Sequence, residues 1–190
     1  DVSGTNVEDL VSIAAQNTGT SLFVVEDFPG NFWPKRGQAL SGLFTETGPV
    51  QDIHRSRGVD PSLIHNLSNP RYAALGGINK EKLREETQSS LGLKNETVML
   101  WAGQPDGDNS YRALERLLQP LGRLGAFLLF RPHPRDKYYA SGSYSDLLIG
   151  SGLNFLDVSS FADITGLICA SDLVGTQFSS VAVEAGHLGI

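Results

Sequence analysis

Cysteine is nearly missing from this chain. Among its 190 residues only Cys169 is one, so no disulfide can close within the sequence, and a reducing, cytoplasmic setting is expected. Cys169 lies in the apolar run Gly166 to Ser171 and reads as a buried, inert thiol. Long apolar runs are missing too: none approaches the ~20 residues of a membrane span, and the first residues do not read as a leader. Basic residues are in deficit, with 15 Lys and Arg against 21 Asp and Glu and a net charge of −6. That balance excludes the broad cationic face with which proteins neutralise nucleic-acid phosphates, so no nucleic-acid partner is expected. Methionine is as scarce as cysteine, with Met99 alone, and the chain opens at Asp1 and stops after His187-Leu-Gly-Ile190. It therefore reads as a piece of something longer. No internal repeat of fixed period and no low-complexity tract is found.

What is present is an alternation of short apolar runs with amphipathic stretches. A helix is expected from about Val7 to Asn17, capped by Asn6 and closed by Gly19, then a strand at Ser21 to Asp27 whose continuous apolar character predicts cover on both faces. The turn-rich loop after it carries Trp33, with Asp27, Asn31 and Arg36 as candidate ligand contacts. A strand at Ala39 to Thr45, a helix at Pro49 to Gly58 and a strand at Leu63 to Leu67 follow. Gly76-Gly77 then interrupts the pattern, and a charged helix spans Asn79 to Leu91. This places a boundary near residue 76, with 1–75 as the end of one α/β domain and 76–190 as a second.

In the second domain the runs at Thr97 to Ala102, Ala126 to Arg131, Asn154 to Val158 and Leu173 onward read as strands. Helices after Asn109, around Tyr144 to Ile149, around Phe161 to Ala170 and after Ser180 give the order βαβαβαβα. The economical fold is a doubly wound, Rossmann-like parallel sheet, with every strand-to-helix loop on one edge. Three of those loops are chemically loaded. The first is Gly103 to Asn109, the second Pro132-His-Pro-Arg-Asp136, the third Gly175 to Ser180. His133 is mounted between two prolines that fix the backbone, and Arg131 and Arg135 flank it with charge suited to phosphate. Ser179 and Ser180 open a helix, where free amides and the helix dipole attract anions, and Glu184 lies one turn on, spaced to meet a ribose diol. The plain alternatives are that Ser179 caps the helix and Glu184 is a first-turn acid. Asp106-Gly-Asp108-Asn109 has the D-x-D form of metal-dependent transferases, but Asp108 or Asn109 as a helix cap explains it without a metal.

Arg131-Pro-His-Pro134, followed by Ser179-Ser180 and Glu184-Ala185, resembles the carboxyl half of the GT-B glycosyltransferase superfamily. The similar branches are the UDP-N-acetylglucosamine 2-epimerases, the CDP-glycerol glycerophosphotransferases and the capsule-type transferases. Leu63 to Arg71 is similar to the passage that closes their first domain. The resemblance implies a nucleotide diphosphate held by the second domain: His133, Ser179 and Ser180 on phosphate, with Arg131 and Arg135 supplying charge, Gly103 and Gln104 letting backbone approach it, and Glu184 on the ribose. It implies His133 as the catalytic contact, no metal or other cofactor, and a nucleotide-sugar donor. The acceptor would be a glycan or a lipid-linked polymer, and peripheral membrane contact is compatible with the latter. A 2-epimerase and a non-catalytic nucleotide-binding or interaction module are the alternatives.

Overall fold

The computed structural model describes residues 7–26, 29–34, 40–46, 48–67 and 70–190. Asn6, Asp27 and Arg36 lie outside the described residues. The chain divides into two compact units, residues 1–73 and 74–190. Among the described residues no helix is long and apolar enough to cross a membrane.

In the first unit, α1 (Val7–Thr18) leads through Gly19, at φ +67°, to β1 (Phe23–Val25). Then come β2 (Gly42–Thr45), α2 (Gly48–Ser56), β3 (Ile64–Asn66) and α3 (Pro70–Ala73). The strands are parallel in the order β1-β2-β3. Leu43 at the centre of the sheet is fully buried and packs with Val59 and Ile64. The expectation that β1 is covered on both faces is corrected. It is an edge strand in which Val24 turns to the core while Phe23 and Val25 are 58% and 64% exposed. A continuous apolar run does not reveal how many neighbours its strand has.

The carboxyl end of β1 is fastened by a buried acid. Glu26 is 6% exposed and accepts from the Phe32 N–H at 2.8 Å, the Thr45 hydroxyl at 2.6 Å and His54 Nε2 at 2.9 Å. Burial by itself would raise its pKa; the hydrogen bonds from Thr45, Phe32 and His54 outweigh burial and hold it below the ordinary 4.5. These bonds tie β1 to the end of β2, to the buried face of α2 and to the loop that follows β1.

The second unit begins with α4 (Lys80–Leu91), capped by Asn79, whose side chain accepts from the Lys82 N–H, and ended by Gly92 in the left-handed region. The parallel strands β4 (Val98–Ala102), β5 (Phe127–Arg131), β6 (Phe155–Asp157) and β7 (Leu173–Thr176) are ordered β6-β5-β4-β7. Between them run α5 (Asp108–Leu124), α6 (Lys137–Ala140), α7 (Ser143–Ser151), α8 (Ile164–Ala170) and, last, α9 (Ser180–Leu188). Every residue of β4 is buried. Met99 and Trp101 pack with Leu114, Leu118 and Leu121 of α5 and Leu148 of α7, while α8 packs on the opposite face. This explains why the strand is apolar at every position rather than at alternate ones. Gly175 sits inside β7, not in a turn as the sequence suggested: a Cβ there would lie 2.3 Å from Met99 Cε and 3.2 Å from the Trp101 ring. A side chain here would have to displace Met99 and press on the Trp101 ring, both lying across the strand. Cys169 is buried, which pushes its thiol pKa up and leaves it unreactive.

Helix α4 has little apolar anchorage. Thr87 is its only buried residue, and its polar side chains do the fastening. Arg84 donates to the carbonyls of Cys169 and Ser171 and pairs with Asp172 at 2.6 Å, Gln88 donates to the Ala170 carbonyl, and Lys80 reaches the Leu188 carbonyl at 2.7 Å.

A carboxyl whose folded pKa is depressed stabilises fully above its unfolded value, and that stability is lost as pH falls through the folded value. Glu26→Gln is therefore expected to lower stability at neutral pH by about 1–3 kcal/mol, and to flatten the loss on acidification below about pH 4.5. Thermal melts of both proteins across that range check this; parallel curves would remove Glu26 as the acid-sensitive group.

Candidate functional site

Strand order determines where ligands gather in such a sheet. Strands β4, β5 and β6 step outward in one direction and β7 returns to the other side of β4, so the switch point lies between β4 and β7. Loops diverge there and leave a crevice at the carboxyl edge. Register aligns Arg131, Ala102 and Thr176 across the three strands, so the segments that follow them leave the sheet side by side. The Thr176 hydroxyl donates to the Ala102 carbonyl at 2.8 Å and locks the β4 and β7 ends together.

Gly103, the first residue beyond β4, donates its N–H to the Arg131 carbonyl at 2.9 Å. A Cβ on Gly103 would lie 3.1 Å from Pro132 Cα and 3.3 Å from the His133 nitrogen, both backbone atoms with little room to yield. The glycine thus lets two of the expected site loops touch. Gln104 extends this contact, its N–H donating to the hydroxyl of fully buried Ser110 at 3.2 Å.

His133 is half-buried, and its Nδ1 accepts from the Arg135 N–H at 3.1 Å. An accepting Nδ1 carries no proton, so in the neutral ring the proton is on Nε2, which is then a donor. Among the described residues no protein group bonds Nε2. The histidine is set to donate to an oxygen-rich ligand. Arg135 itself is exposed. Arg131 is committed elsewhere: its guanidinium donates to the Val158 and Phe161 carbonyls and fixes the loop after β6.

Beneath these loops lies a polar network that sequence reasoning missed. Asp136 is 1% exposed; its N–H donates to the His133 carbonyl at 2.9 Å, and its carboxylate accepts from the Tyr138 N–H at 2.8 Å and the Tyr144 hydroxyl at 2.9 Å. Burial, with the Asp136 charge adding to it and Ser110 opposing it, pushes the Tyr144 pKa far above the ordinary 10.0, so Tyr144 remains a neutral donor. Ser110, Tyr144 and Asp136 link the loop after β4 to the loop after β5. The available signal was the Asp136-x-Tyr138 cap spacing at the end of the proline loop.

On the other side of the switch, Ser179 is the N-cap of α9 and its hydroxyl accepts from the Val181 N–H at 3.3 Å. Ser180 donates to Glu184 Oε1 at 3.3 Å, and Glu184 is 3% exposed. The caps expected at Asp108 or Asn109 are corrected. Gly107, at φ +59°, is the N-cap of α5, and the side-chain bond comes from Asp106, which accepts from the Ser110 N–H at 3.1 Å. Asp108 pairs with Lys137 at 2.8 Å and accepts from the Tyr138 hydroxyl, which together hold its pKa below the usual range. Both acids of the D-x-D tripeptide therefore have structural partners.

No protein-family model matches the sequence, and no curated protein sequence matches it. Solved structures do match. UDP-N-acetylglucosamine 2-epimerase from Rickettsia bellii aligns over 95% of this chain and 51% of its own, at 18% identity and a TM-score of 0.68. HepE from Anabaena, solved with UDP and glucose, aligns over 96% of this chain and 55% of its own, at 18% identity and a TM-score of 0.58. The fold is of the GT-B type. The wall teichoic acid polymerase TagF, soaked with CDPG, aligns over 86% of this chain and 41% of its own, at 26% identity and a TM-score of 0.52. The chain thus spans about half the length of the epimerase and HepE structures. Of the residues expected from the sequence, Gly103 meets the backbone of Pro132 and His133, while Ser179, Ser180 and Glu184 lie at the start of α9, which follows β7.

Tyr144→Phe removes one donor from a buried carboxylate and is expected to cost about 1–3 kcal/mol. Gly103→Ala forces two backbones apart and is expected to cost a similar ~1–3 kcal/mol. Denaturant unfolding measures both. A Gly103→Ala protein as stable as the parent would show that the two loops separate freely.

Proposed function

We propose that this chain is part of a nucleotide-sugar-dependent GT-B transferase, with the donor's diphosphate and ribose held by residues 74–190. Transfer would carry a sugar or a polyol phosphate to a surface-polymer or lipid-linked acceptor. The observation that carries the reading is that the amino end of α9 opens beside the β4–β7 switch point, while Gly103 at the end of β4 lets the loop that carries His133, with Nε2 free of described protein partners, pack against it.

Each part has a chemical task. The positive end of the α9 dipole and its first-turn amides favour the diphosphate. The Ser179 and Ser180 hydroxyls extend that cradle, and Arg135 adds mobile positive charge at its rim. His133 donates Nε2–H to a phosphate oxygen, and the lock on Nδ1 keeps the donor aimed. Gly103 lets the loop that carries His133 pack against the end of β4, which fixes where that loop leaves the sheet. Glu184, oriented by Ser180, accepts from the ribose hydroxyls. Arg131 serves by fixing the Val158–Phe161 loop.

In sugar transfer the bond from the anomeric carbon to the diphosphate oxygen breaks, and the leaving diphosphate takes the electron pair. In polyol-phosphate transfer the displacement is at phosphorus and the nucleoside monophosphate leaves. In both, these donors balance charge that grows in the transition state, and the protein supplies this balance without a metal ion. HepE in complex with UDP and glucose, and TagF soaked with CDPG, support a nucleotide-linked donor.

Calorimetric titration with UDP, CDP and GDP, with and without EDTA, tests the proposal. One diphosphate is expected to bind in EDTA, and His133→Ala is expected to weaken it about 10-fold, the loss of one charge-assisted hydrogen bond. Glu184→Ala is expected to weaken binding while leaving the melting temperature near that of the parent; a collapse in melting temperature would assign Glu184 to the core instead. Binding abolished by EDTA would overturn the metal-free site. Release of an epimerised sugar nucleotide without acceptor would replace transfer by the 2-epimerase reading.

A further inference from the structure

In residues 1–73, one aromatic side chain is held still and left exposed. Trp33 is 67% exposed, yet its loop is fixed from both sides. The buried Glu26 carboxylate accepts from the Phe32 N–H at 2.8 Å. Arg57, just beyond α2, donates to the carbonyls of Gly30 at 2.6 Å and Phe32 at 2.7 Å, and lays its guanidinium 3.9 Å from the centre of the Trp33 ring. The Phe32 ring packs edge-on against buried His54. Three side chains thus immobilise the segment around an indole whose own surface gains little burial.

We propose that Trp33 is a stacking platform for a pyranose ring. The inference rests on the transferase reading for its carbohydrate chemistry and adds a second, sugar-binding site, on residues 1–73. Arg57 occupies one face of the indole, which leaves a single open face one ring wide. A protein interface of standard size needs about 800 Å² from each partner, far more than one indole face provides. A pyranose fits that size: its axial C–H bonds lie on an electron-rich ring and its hydroxyls spread to the rim. The platform follows β1 at the carboxyl end of a parallel strand, where α/β folds place ligand loops. Its rigidity reduces the ordering cost that weakens sugar binding by a mobile aromatic.

The test uses the whole chain and a panel of methyl glucoside, methyl N-acetylglucosaminide, cellobiose and chitobiose, with uridine and guanosine as a separate arm. Only two tryptophans are present, and Trp101 is 2% exposed, so acrylamide quenching reports chiefly on Trp33. A sugar that binds is expected to lower that quenching roughly two-fold at saturation, with millimolar affinity. Saturation-transfer NMR then reads the ligand side: ring protons of the sugar should receive saturation from the parent protein and from Trp33→Phe, and lose it in Trp33→Ala. UDP titration of Trp33→Ala should match the parent, which separates failure of this site from failure of the nucleotide reading. No saturable effect from any sugar, equal saturation in Trp33→Ala, or transfer to the nucleosides alone would overturn the proposal.

Discussion

The Asp136 carboxylate is where the edge of the second unit is decided. At 1% exposure it cannot rely on water and must be satisfied by protein donors, here the Tyr138 N–H and the Tyr144 hydroxyl. Each donor belongs to a different requirement: the first starts α6, the second ties the loop to α7, and the residue's own N–H holds the His133 carbonyl. The loop Pro132–Asp136 therefore has one arrangement, in which the His133 backbone is held and its Nδ1 is occupied by the Arg135 N–H. Prolines narrow the choices of the chain. The acid selects among those that remain.

The first unit uses the same device with different residues. Glu26 stands at the end of its strand as Asp136 stands near the end of β5, and it too gathers a backbone N–H from the following loop. In each unit a buried acid converts a flexible strand-to-helix connection into a rigid shelf. The difference lies in the third partner, a histidine for Glu26 and a tyrosine for Asp136. The Glu26 carboxyl is held below its ordinary pKa by its donors, whereas burial keeps the Tyr144 hydroxyl neutral.

The α/β alternation, the parallel sheets and the loops that meet at the switch were legible because hydrophobic runs and glycine or proline breaks are local signals. The spacing of Gly103, His133, Ser179 and Glu184 along the chain carries the likeness to the GT-B type, whose fold the structure has. What was hidden depends on contacts distant in sequence. The requirement for Gly175 comes from Met99 and Trp101, some seventy positions earlier, and nothing beside the glycine announces it. The exposure of Phe23 and Val25 on one face of β1 shows that no described element covers that face, and the apolar run itself does not report this. Asp106 took the capping role from Asp108 because Gly107, at positive φ, shifts the helix start by one residue. Arg131 read as a phosphate ligand, and its charge instead found carbonyls of the loop after β6.

Helix α4 packs on α8 and is further held by charge and hydrogen bonds, with Arg84 bridging to Asp172, whose other oxygen receives the first N–H of β4. Lys80 meanwhile meets the carboxyl end of α9, the helix whose opposite end faces the switch point. A peptide that began at β4 would keep the whole sheet but leave that helix end uncompensated and the Ala170 carbonyl without the Gln88 amide. The smallest autonomous piece of the second unit is thus set by a polar clasp rather than by the core. Contacts of this kind weaken as ionic strength rises, so the integrity of the α9 end is tied to salt in a way that the leucine-rich interior is not.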